Sequence, residues 1–200
     1  MCWSNSIGTV PRAQASQHNG GVVRLPRCDP GSTKRLEPSV GKPVFLSFHY
    51  ARDHWRVQQV RNIGVLDEQE IVSAQEWEQV KAKGAKAIEN WIQNQMRYKQ
   101  AVVVLVGAET ANREWVQYEI EYAWNNRKPL VGIRINGLKD QNQRTDFPGP
   151  DPFSKVRVEN GKTVADYVSL HTPLGASSQQ VHASIVANLS RWIDGAYARP

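Results

Sequence analysis

Residues 101–135 read AVVVLVGAETANREWVQYEIEYAWNNRKPLVGIRI. The stretch opens on an unbroken apolar run, Ala101 to Val106, rich in β-branched valine and closed by Gly107. Such a run predicts a strand buried on both faces, as in parallel sheets covered by helices. Leu130 to Ile135 has the same character. The segment between them has the length and period of a helix, so the unit is strand, crossover helix, strand, with a right-handed crossover. Thr110 or Asn112 is placed to cap that helix, and Asn126 with Pro129 to end it.

Within the helix, Val116, Ile120 and Trp124 form an i, i+4, i+8 row that must face the sheet. Glu119 lies on the neighbouring row, Trp115–Glu119–Ala123, and not on the polar face with Glu114, Gln117, Tyr118, Glu121 and Asn125. Periodicity alone leaves two readings of Glu119. It is either a border residue with its head in water, or a carboxylate held beside the Trp115 indole at the core's edge. The second arrangement is costly without a partner and is enriched at functional sites.

Upstream, Val44 to Phe48 predicts the first strand, after a domain boundary near Gly41. Its exit carries Ser47, Phe48, His49 and Tyr50, and then Asp53 and Arg56. In open α/β sheets ligands bind beyond the carboxyl ends of the strands, where strand order reverses. A hydroxyl, an imidazole and a phenol gathered there suit that role, although each alone is an ordinary strand-end polar group. Asp53 is read as the cap of a helix over 54–62, with Trp55 and Arg56 directed at the strand end. Residues 63–79 resist assignment, and Trp77 is a candidate helix start. Val80 to Tyr98 reads as one helix on the row Val80, Gly84, Ile88, Ile92 and Met96.

Downstream, residues 137–176 are loop-rich, with Asn136-Gly137, Pro148, Gly149, Pro150 and Pro152. Asp166 to Leu170 is a candidate edge strand. The closing helix, 177–195, has Ser177 and Gln180 for a capping box, the inward row Val181–Ile185–Leu189–Ile193, and Gly195 as its stop. The expected organisation is an N-terminal extension, 1–40, and one domain, 41–200, with its core in 42–136.

Composition narrows the function classes. Forty per cent hydrophobic residues in 200 allow a real core, and seven tryptophans suit aromatic-lined pockets or interfaces. Residues 1–40 are rich in Gly, Ser, Pro, Gln and Arg without periodicity, which predicts disorder. Five of the basic residues and only two acidic ones lie there, so half of the net +6 belongs to the extension. No basic block is interleaved with aromatics, and direct nucleic-acid binding is not expected. No apolar run nears the roughly 20 residues of a membrane span, and the N-terminus lacks a signal-peptide core. With only Cys2 and Cys28, and no metal-like spacing, the reading is cytoplasmic, without structural disulfides or a metal site. There is also no Gly-rich phosphate loop and no nucleophile elbow. The residues alone point to an α/β domain with a nucleotide-sized site.

Two motifs sharpen this. Val44-Phe-Leu-Ser-Phe-His-Tyr50 with Asp53 and Arg56 resembles the first strand and loop of the TIR-like domains of the Thoeris ThsB family. Val104-Leu-Val-Gly107 with Thr110, then Arg113-Glu-Trp-Val-Gln-Tyr-Glu-Ile120, is similar to that family's third strand and the helix bearing its catalytic glutamate. The match continues through Leu130–Ile135 and Pro150-Asp-Pro-Phe153 and covers roughly residues 42–155.

The resemblance implies a flavodoxin-like, doubly wound, mostly parallel sheet flanked by helices. It implies an antiphage enzyme of NAD glycohydrolase or ADP-ribosyl cyclase type, with NAD as substrate and no cofactor. The product would be an ADP-ribose-derived signal, cyclic or base-exchanged, for a separate effector protein. Self-association is implied as well. Glu119 takes the catalytic position, and Ser47, Phe48, His49, Tyr50, Asp53, Arg56 and Trp115 are expected around the substrate. A non-catalytic TIR-like interaction module and a nucleoside deoxyribosyltransferase-like enzyme are the alternatives that share an α/β sheet.

Overall fold

A computed structural model describes residues 41–67 and 74–200, with only the backbone of 74–77 and 160 considered. The expectations for 1–40, with both cysteines, and for the Trp77 side chain lie outside the described residues. Four strands form one parallel sheet in the order β1 (Val44–Ser47), β2 (Ala101–Val106), β3 (Leu130–Arg134) and β4 (Leu170–His171). The register sets Val44 beside Ala101 and Ser47 beside Val104, and runs on from Val102 beside Leu130.

A parallel bridge joins Lys42 to Leu66. Lys42 N–H donates to the Val65 carbonyl (2.9 Å), whereas the Pro43 carbonyl accepts from Gln100 N–H on the β2 side (2.8 Å). Adjacent residues of a strand send their backbone groups to opposite sides, so Leu66 lies on the far side of β1 from β2. Spatial order therefore reverses at β1, as expected for a doubly wound sheet.

Every residue of β2 is buried, and the period of two divides its side chains between two layers. Val103 and Leu105 pack with Val44, Val131 and Ile133 against Val57 and Val60 of α1 (Tyr50–Arg61) and Ile185 and Leu189 of α5 (Ser178–Asp194). Val102, Val104 and Val106 pack with Phe45 against Ile88, Ile92 and Met96 of α3 (Ala85–Met96) and Val116, Ile120 and Trp124 of α4 (Glu114–Asn125). Both faces of the sheet are covered, and the α4 and α5 rows read from the sequence face inward.

The boundaries differ in instructive ways. The single helix expected over 80–98 is two, α2 (Ala74–Ala82) and α3, because Gly84 adopts φ 89°, a left-handed conformation that ends a helix. Neither Thr110 nor Asn112 caps α4. Residues Thr110–Asn112 form their own 3-10 turn, Arg113 is the cap residue, and Thr110 Oγ1 accepts from Gly107 N–H (2.9 Å). The edge strand is Leu170–His171, preceded by a 3-10 turn over Val164–Asp166. At α5 half of the capping box forms. Ser177 Oγ accepts from Gln180 N–H (3.3 Å), while the Gln180 side chain accepts from Ala176 N–H (2.8 Å).

The largest revision concerns α1. It begins at Tyr50, so Asp53 is not a cap but the fourth residue of the helix, in its first turn, without exposure. Asp53 pairs with Arg56 Nη1 (2.9 Å) and packs on Gly107, where an added Cβ would come within 2.3 Å of its carboxylate. Gly107→Ala should therefore overpack the junction of α1 and β2. Such strain costs about 1–3 kcal/mol, and thermal denaturation should show a Tm lower by several degrees.

Candidate functional site

Ser47 ends β1 and shares the pleat face of Phe45, so its hydroxyl points toward α4. There it approaches Glu119, which is only 8% exposed. No salt bridge reaches Glu119 among the described residues. Burial pushes its pKa up from the ordinary 4.5 to about 8, because the charged form loses water and gains no cation. The Ser47 hydroxyl favours the charged form but completes no hydrogen bond, so it offsets only part of that shift. The carboxyl is therefore held largely neutral at pH 7.

Glu119 opens on a cavity of about 400 Å3 that runs along β1. Phe48, His49, Tyr50 and Trp115 line it beside Glu119, Trp91 and Gln95 of α3 form a wall, and Leu66, Asp67 and Lys99 line it where β1 begins. A volume of this order suits part or all of a small-molecule ligand. Phe48 and Tyr50 stand 6.1 Å apart, Tyr50 stacks on His54 at 5.9 Å, and Trp115 meets Tyr118 edge-on at 6.0 Å. These contacts leave flat aromatic surface for a planar base.

The rim is charged. Arg52 bridges Glu109 (2.6 Å) and Asp146 (2.8 Å), and Glu109 also pairs with Arg113. His49 Nδ1 lies 4.0 Å from Glu109 and has no hydrogen-bond partner. Burial, and then Arg113, lower the His49 pKa against the pull of Glu109. His49 is thus neutral near pH 7 and offers one donor and one acceptor.

Of the residues singled out in the sequence, Phe48, His49, Tyr50, Trp115 and Glu119 line this cavity and Ser47 adjoins it. Asp53 and Arg56 are not brought into it. Arg56 donates to the carbonyls of Leu138 (2.9 Å) and Arg144 (3.2 Å) and pairs with Asp53, so the two tie α1 to the loop after β3. Arg56 instead borders a second, polar cavity of about 450 Å3 with Arg52, Asp140 and Asp146.

Sequence reasoning passed over Arg113, Trp91 and Lys99. Arg113 sits inside the quoted motif and could have been flagged by its place just before the helix. Trp91 is indistinguishable from a core residue by period. Lys99 reads as a loop cation, and only the packing shows it buried. Among the described residues no group of three or more His, Cys, Asp or Glu is arranged to hold a metal ion, and no helix is long and apolar enough to cross a membrane.

With this geometry in view, comparison with known proteins is informative. Residues 45–140 match the family described as "Thoeris protein ThsB, TIR-like domain". The chain is also similar to the Bacillus cereus (strain MSX-D12) protein named "Putative cyclic ADP-D-ribose synthase ThsB1", with 34% identity over 125 residues. That alignment covers 57% of this chain and 62% of the relative, so the match spans less than two thirds of the relative's length. The family segment runs from β1 through α4 and β3 and contains Glu119 and every residue named above as lining the cavity beside it.

Titration should expose the buried acid. Between pH 4.5 and 8 the folded protein holds a proton on Glu119 that the unfolded chain has released, so this group lowers stability as pH rises through that window. Glu119→Gln removes the effect. The variant should match the parent near pH 4.5 and melt several degrees higher by pH 8, as read by differential scanning calorimetry.

Proposed function

We propose that this chain, whose residues 45–140 match the TIR-like domain of the Thoeris ThsB family, cleaves NAD at the bond between nicotinamide and ribose. The observation that carries this reading is Glu119, a buried carboxyl with no cation of its own among the described residues, facing a cavity walled by aromatic side chains. The nicotinamide ring of NAD is a cation. Docked beside Glu119 it would supply the missing counter-charge and favour the ionised carboxylate. The pair of electrons in the C1′–N bond then leaves with the nicotinamide nitrogen, making that ring neutral and placing positive charge on the ribose. A fixed carboxylate in a dry site stabilises that charge without reorganisation.

The ribose cation is captured by water, giving ADP-ribose and a proton, or by a nitrogen of its own adenine, giving a cyclic product with loss of a proton from that base. The name of the similar Bacillus cereus protein favours the cyclic outcome. Phe48, Tyr50 and Trp115 are suited to stack on the departing base, and Ser47 and neutral His49 to hold ribose hydroxyls. The product then acts as a diffusible signal to a separate effector protein, the division of labour that the Thoeris resemblance implies.

Glu119→Gln keeps the size of the side chain and removes its charge. NAD consumption should fall by ~10²–10³ or more. Glu121→Gln, on the exposed face of the same helix, should leave turnover unchanged. Chromatographic measurement of released nicotinamide decides between them, and equal activity in the two variants would remove Glu119 from the reaction. Nucleosides without the nicotinamide cation should not release their base. Self-association, if it completes the site, should make activity per molecule rise with protein concentration. A flat dilution series would mark a self-sufficient monomer.

A further inference from the structure

The cavity has a second buried ionisable group, far from Glu119, that bond cleavage does not use. Lys99 is 6% exposed and lines the end of the cavity where β1 begins. Its Nζ is buried and has no hydrogen-bond partner. Its backbone is held in place, since Lys128 Nζ donates to the carbonyls of Lys99 and Arg97 at 3.0 Å each. Lys81, on the same wall, pairs with Glu78 at 2.6 Å, and no acidic group lies within ion-pair distance of Lys99 among the described residues. An ammonium with three donors and no acceptor is costly to bury. An anion entering the cavity would relieve that cost.

We infer that Lys99 binds a phosphate oxygen of the dinucleotide at the strand-start end of the cavity, an inference that rests on the NAD-cleaving reading. The strand register supports the spacing. Glu119 is approached by Ser47, which pairs with Val104, while Lys99 precedes Ala101 by two residues. Three residues of strand, Ala101 to Val104, separate the levels by about 10 Å, and Lys99 lies beyond them in the turn before the strand. A cation at one end and a carboxyl at the other also impose a direction on the ligand, with the diphosphate at Lys99 and the cationic base at Glu119. Burial lowers the Lys99 pKa, with Asp67 opposing. A bound phosphate would act in the same sense as Asp67 and keep the amine charged.

The test compares Lys99→Met, Lys99→Arg and the exposed control Lys86→Met, using calorimetric titration with ADP-ribose and steady-state kinetics with NAD. Lys99→Met should weaken ADP-ribose binding and raise KM for NAD by about 10- to 100-fold, the range for a lost charge-assisted hydrogen bond, with kcat within a few-fold of the parent. Lys99→Arg, which keeps the charge, should retain most of the affinity, and Lys86→Met all of it. Nicotinamide riboside, which has no phosphate, should bind the parent and Lys99→Met alike. Unchanged ADP-ribose affinity in Lys99→Met would overturn the proposal. So would an equal loss in the Met and Arg variants, or a matching loss for the riboside, since either marks a packing effect. If ADP-ribose binds in a Lys99-dependent way while NAD is left intact, the phosphate site stands and the cleavage reading falls.

Discussion

Everything in this fold follows from the burial of β2. Six consecutive residues, Ala101 to Val106, have no access to water on either face, and their backbone groups can be satisfied only by strands on both edges. β1 and β3 supply those edges, and helices must close both faces. The α1/α5 layer and the α3/α4 layer are thus the two halves of one requirement. With its interior so apolar, the sheet can present polar chemistry only where strands end or where an edge is incompletely covered. Both conditions meet at β1, which has β2 on one side and, among the described residues, only the Leu66 bridge on the other. The cavity lies along that strand.

Electrostatics divides the polar groups around β1 into two populations. Arg52, Glu109, Arg113 and Asp146 satisfy one another at the rim, and Asp53 with Arg56 does so beneath it. These networks hold loops in place. Glu119 and Lys99 are different, because each is buried without an ion-pair partner among the described residues. A fold that pairs buried Asp53 with Arg56 and leaves the Glu119 carboxyl and the Lys99 ammonium unpaired in one cavity suits the proposed ligand, which carries a cationic base and an anionic diphosphate. That is the physical content behind assigning a dinucleotide with a cationic base to this site.

Strong periodicity made much of this legible. The runs at 101–106 and 130–135, the row Val116–Ile120–Trp124 and the row Val181–Ile185–Leu189–Ile193 were readable because burial on a strand or helix enforces a period. Glu119 could be noticed because it broke the period of its helix. The misreadings share a different cause. Gly84 ends one helix and starts another through a left-handed backbone, which a residue row counted straight across it does not register. Asp53 looked like a cap because Asp is a common one, but the helix began three residues earlier and turned the carboxylate into the core beside Gly107.

The sequence by itself determined the fold class and the family resemblance and singled out Glu119 as a candidate, since these depend on local patterns that each segment carries alone. Only the tertiary structure decided which polar residues share a space. It took Arg56 away from the cavity and into contact with the Leu138 and Arg144 carbonyls, and it brought Lys99, twenty positions before Glu119, to the same cavity. It also decided that the Glu119 carboxyl is held mostly neutral at pH 7, because desolvation is set by every neighbour that excludes water and not by the residues adjacent in the chain.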